Sequence, residues 1–91
     1  MNVTLQLVGA LSNDLYRAAI ALHRNSTQTA SCFLEESNKR IQELQESQPD
    51  QFIQNLMTVL KEKKNDSDAV YADKLLTYSI MLQNYVLRKS N

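Results

Sequence analysis

Apolar residues recur along this 91-residue chain at intervals of three and four, the period at which one face of an α-helix returns. The densest run is Ala69 to Lys89, which contains neither Gly nor Pro. At 100° per residue, Tyr71, Leu75, Tyr78, Leu82 and Tyr85 form one stripe, bordered by Val86. Leu76, Ile80 and Leu87 form a second patch on roughly the opposite side. A helix covered on one side needs one stripe. Two stripes imply a central place in the fold or contact with another chain, and Leu76, Ile80 and Leu87 are the candidate oligomer interface.

Three further helices are expected upstream. Residues 3–24 carry Val8, Leu11, Leu15, Ala18, Ala19 and Leu22 on one stripe, with Arg17 and Arg24 turned away. The alternation of Val3, Leu5 and Leu7 is the competing signal for a short strand, with Gly9 as its boundary and Ser12 or Asn13 as a later helix cap. Helix is the preferred reading, because a lone strand would have only its copy in another subunit to pair with.

Asn25-Ser26-Thr27-Gln28-Thr29 then interrupts the pattern with residues that favour helix ends. Asn25 suits the left-handed position that closes a helix, and Asn25 with Gln28 also matches a capping-box spacing. Without a break, one helix of about 40 residues would run roughly 60 Å, too long for the remaining chain to cover.

Residues 29–46 place Ala30, Phe33, Leu34, Ser37, Ile41 and Leu44 on one stripe. Ala30 and Ser37 are small enough to let a neighbouring helix approach. Glu35 with Lys39 and Glu36 with Arg40 have the favourable i,i+4 order. Pro49 is expected at the first position of a helix over 49–64, with Phe52, Ile53, Leu56, Met57 and Leu60 inward and Lys61, Lys63 and Lys64 at its end. Asn65 to Asp68 supply caps for a last helix over 68–89. The pattern therefore predicts an all-α protein: a single domain over 1–91, folded as a small up-and-down bundle of three to four antiparallel helices.

Composition agrees and narrows the partners. One Gly and one Pro are too few for the turns of an all-β fold. Ten basic and ten acidic residues cancel, so charge offers no support for a nucleic-acid partner. No apolar run approaches the ~20 residues that span a bilayer, and Met1 to Leu11 lacks the basic start of a secretory signal. Cys32 is the only cysteine, which fits a reducing, cytoplasmic setting, and its place beside Phe33 suggests a buried thiol. At this size a second subunit would add materially to the buried surface, so a homodimer, or contact with a helical protein partner, is expected.

Candidate chemistry is sparse. His23 is the only histidine, with no second His to act as a base and no acidic or Cys residue placed beside it for a metal. Gly9 alone cannot form a glycine-rich phosphate loop. Glu35 with Glu36, and Asp66 with Asp68, read as solvated face and capping residues. Tyr71, Tyr78 and Tyr85 repeat at heptads, and packing accounts for them better than a cofactor or base-stacking site. The expectation is a non-enzymatic protein with no catalytic residue, metal or cofactor.

Ala18-Ala19-Ile20-Ala21-Leu22-His23-Arg24, the turn Asn25 to Thr29, and then Ala30, Phe33 to Glu36, Arg40 and Ile41 together resemble the first helical hairpin of translin-type proteins. More loosely, they resemble the helix pair of tetratricopeptide units. The translin-type resemblance implies an all-helical, oligomeric protein that binds single-stranded nucleic acid. Arg17 and His23 also have the spacing used by helical ribonucleases of the HEPN type, with Ala18 where those carry a polar residue. Under this alternative of nucleic-acid binding or RNA processing, Arg17, His23 and Arg24 are the candidate residues and should share one surface.

Overall fold

The computed structural model describes residues 3–47, 49–61 and 67–90, the side chains of Lys61 and Ser90 excepted. Four helices occupy them, α1 (Val3–His23), α2 (Thr27–Glu46), α3 (Gln51–Lys61) and α4 (Asp68–Ser90), with no strand among the described residues. The all-α bundle is the fold.

The helix ends follow from local chemistry. Asn25 adopts φ 58°, the left-handed conformation that Asn tolerates better than most residues. The Ser26 amide then reaches the Ala21 carbonyl at 2.8 Å, and the Asn25 amide reaches that of Leu22 at 3.1 Å. These paired bonds form a Schellman motif, which ends α1 and turns the chain within three residues. Asn25 thus closes α1 rather than opening α2, so the capping-box reading is corrected. Ser26 holds the N-cap position of α2 without a side-chain cap bond, and α2 begins two residues earlier than expected.

Pro49 is likewise displaced from its expected position. It precedes the N-cap, and Asp50 takes that role, its Oδ1 accepting the Ile53 amide at 3.1 Å. Ser67 caps α4 by accepting the Val70 amide at 3.3 Å. The expected Lys61, Lys63 and Lys64 cluster lies outside the described side chains. Gly9 and Ser12 both sit inside α1, so the strand alternative and the later cap at Ser12 or Asn13 do not hold.

Directions follow from contacts. His23 near the end of α1 meets Asp73 near the start of α4, while Ser12 meets Ser79. Rising along α1 therefore means descending toward the start of α4, and the two helices are antiparallel. The short turn at Asn25 makes α1 and α2 antiparallel as well. α1 packs along both α2 and α4, making α1, rather than the last helix, the centre of the bundle. Its composition explains this: Ser12, Ala18, Ala19 and Ala21 are all buried, and such small side chains let helices approach from two sides.

Val8, Leu11, Leu15, Leu44, Ile53, Leu75 and Leu82 fill the core. α3 joins it through Ile53, Leu56 and Met57, and locks to the end of α4 by stacking Phe52 on Tyr85, 5.5 Å between ring centroids. Truncating a fully buried leucine such as Leu75 would cost about 2–5 kcal/mol. Ser37 is buried too, and satisfies its hydroxyl on the Phe33 carbonyl one turn back at 2.9 Å.

Two expectations on α2 are overturned. Cys32 is exposed, because it lies about 200° around the helix from buried Ala30, away from the stripe of Ser37 and Ile41. The charged pairs also choose other partners: Lys39 meets Glu36 at 3.3 Å and Arg40 meets Glu43 at 3.2 Å, both i,i+3. These surface pairs contribute only a few tenths of a kcal/mol each.

Candidate functional site

The second apolar patch of α4 divides when the helix is packed. Ile80 and Leu87 are each 54% exposed, whereas Leu76 is half-buried and packs against the core. Leu76 lies nearer the buried Leu75 side of the helix than its two companions do, so the bundle covers it. Seven residues separate Ile80 from Leu87, about 10 Å along the axis. Beside Leu87, a depression of ≈ 390 Å³ is lined by Phe52, Met81, Asn84 and Arg88. The tyrosine stripe faces inward, with Tyr85 buried and Tyr71 and Tyr78 half-buried against the core.

The candidate nucleic-acid residues are not brought together as a set. Arg17 and Arg24 line a groove of ≈ 580 Å³ between α1 and α2. His23 turns to the opposite flank of α1, where Nε2 lies 3.4 Å from the Asp73 carboxylate on α4. Both members of that pair are substantially exposed, so it contributes little to stability.

The groove contains more than its two arginines. Tyr16, Ile20, Ala21, Ser26, Thr29 and Phe33 complete the lining. Tyr16 and Ile20 had no assigned role in the sequence, although Tyr16, Ile20 and Arg24 recur every four residues and therefore share a face. The Arg17 guanidinium stands over the Phe33 ring, 5.7 Å from its centroid. No carboxylate is among the lining residues.

One turn below Arg17, Asp14 lies partly buried where α1 meets α2. Burial pushes its carboxyl above the ordinary value of 3.8, Arg40 and Arg17 pull it down, and Glu36 pushes it up. Asp14 Oδ2 and Arg40 Nε are both buried without a hydrogen-bond partner. At the other end of α4, the Tyr85 hydroxyl donates to Asp50 Oδ2 at 2.6 Å. Burial and the neighbouring carboxylate push the tyrosine up to about 12, and the bond holds Asp50 below its usual range.

Among the described residues no three His, Cys, Asp or Glu side chains group as metal ligands, and no helix is long and apolar enough to cross a membrane. Compared with known protein families, curated proteins and solved structures, the chain matches none. The likeness to translin-type hairpins therefore rests only on the residues that suggested it.

Proposed function

We propose that this chain is a non-catalytic helical protein that works through protein–protein contact and self-associates as a homodimer through the outer face of α4. The observation that carries the reading is the exposure of Ile80 and Leu87 on the side of α4 opposite buried Leu75 and Leu82. Large aliphatic side chains set two turns apart match the anchors of one helix packing against another. The depression at Phe52, Met81 and Asn84 adjoins Leu87, so a two-fold contact can seat the Leu87 of each copy against the depression of the other. The net charge of zero places no long-range repulsion between copies. A cytoplasmic setting belongs to the same reading, since an exposed lone thiol at Cys32 is best kept reduced.

Light scattering coupled to size exclusion tests the assembly. A dimer is expected at high micromolar concentration, and Ile80→Glu with Leu87→Glu should give a folded monomer. A wild-type monomer at that concentration, or a dimer untouched by the double substitution, would overturn the proposal.

A further inference from the structure

We propose that the groove between α1 and α2 is a binding site for a small organic anion built from a flat ring and an acidic group. The site is separate from the α4 face and does not depend on self-association.

The lining supplies both halves of such a ligand's recognition. Arg17 is held over Phe33, so one wall is a planar cation backed by an aromatic ring. A guanidinium fixed in this way accepts a second flat group on its open side, as arginine does in stacked sites generally. Ile20 and Ala21 add apolar surface, and Tyr16 adds a second ring that is half exposed.

The acidic group is matched independently. Arg24 lies two turns beyond Arg17 on the same side of α1, and its guanidinium forms no ion pair among the described residues. With no carboxylate in the lining, the positive charge of this arginine remains available. The start of α2 reinforces it: Ser26 and Thr29 border the groove, and the first turn of that helix has no acidic residue and no side-chain cap. The volume, ≈ 580 Å³, is that of a small-molecule site. Overall charge neutrality argues against a long polyanion and for a compact ligand held by two arginines.

The test is an NMR titration of the full chain, labelled with nitrogen-15, using three probes. 1-Naphthyl phosphate carries ring and anion, inorganic phosphate carries only the anion, and 1-naphthol carries only the ring. Naphthyl phosphate should shift the amides of Arg17 to Ile20 and Ser26 to Thr29, and bind at least about tenfold more tightly than either fragment. Arg24→Gln should weaken naphthyl phosphate about tenfold and leave naphthol unchanged, while Arg17→Gln should weaken both ring-bearing probes. Both arginines are exposed, and unchanged helical circular dichroism will verify that the variants fold. The proposal is overturned if the groove amides do not move, if the three probes bind alike, or if the variants match the parent chain. Binding of an oligothymidylate that tightens steadily with length would also overturn it, in favour of a nucleic-acid strand.

Discussion

Ser12 and Ser79 hold each other's main chains: the Ser12 hydroxyl donates to the Ser79 carbonyl at 2.8 Å, and the Ser79 hydroxyl donates to the Ser12 carbonyl at 2.9 Å. Both residues are buried in the middle of their helices. The carbonyls are acceptors with a spare lone pair, so each takes a second bond without giving up its place in the helix. Only a side chain as short as serine allows the α1 and α4 backbones near enough for this exchange.

Ser12→Ala keeps the close approach and removes one of the two bonds, for an expected loss of about 1 kcal/mol. Ser12→Leu must push the helices apart and should cost several times as much, roughly 3 kcal/mol. Urea unfolding of the two variants measures the difference. Equal destabilisation would show that hydrogen bonding, rather than the close approach of the helices, governs this contact.

Tyr85 and Asp50 make the end of α4 sensitive to pH. The hydroxyl is raised from 10.0 to about 12, so its contribution is complete below pH 10 and fades as pH rises toward 12. Asp50 is lowered from 3.8, so its contribution is complete above that value and fades as pH falls through the lowered one. Tyr85→Phe should cost about 1 kcal/mol at neutral pH and flatten the alkaline loss. Stability of parent and variant measured between pH 8 and pH 12 should converge; parallel curves would remove Tyr85 as the titrating group.

Gly9 lies inside α1, and beyond its chain neighbours and the helix's own backbone, a methyl group placed on its Cα would meet nothing within 4 Å. Gly9→Ala should therefore stabilise by about 0.5–1 kcal/mol, since the unfolded chain loses freedom and nothing is displaced. Thermal unfolding should move upward by a few degrees in a domain of this size.

The turn between α1 and α2 depends on the positive φ of Asn25. Asn25→Gly should hold or raise stability by a few tenths of a kcal/mol, whereas Asn25→Val should lower it by about 1–2 kcal/mol. Calorimetric melting of both variants checks the sign. A harmless valine would mean that the Schellman bonds at Ala21 and Leu22 form without the left-handed residue.

By itself, the sequence determined the four helices and most of their buried faces. Val8, Leu11, Leu15, Ala30, Ile41, Ile53, Leu75 and Leu82 are all core residues, because the helical period fixes a face before any neighbour is present. The same period would have placed Cys32 outside; its apolar neighbour Phe33 suggested burial in error. Tertiary structure alone decided which helix stands at the centre, which of Leu76, Ile80 and Leu87 stay open, and that Arg17 and Arg24 share a groove while His23 faces Asp73. The reason is one of range. Periodicity is a property of a few consecutive residues, whereas these outcomes depend on how closely distant helices approach, as Ser12 and Ser79 do across 67 positions of chain.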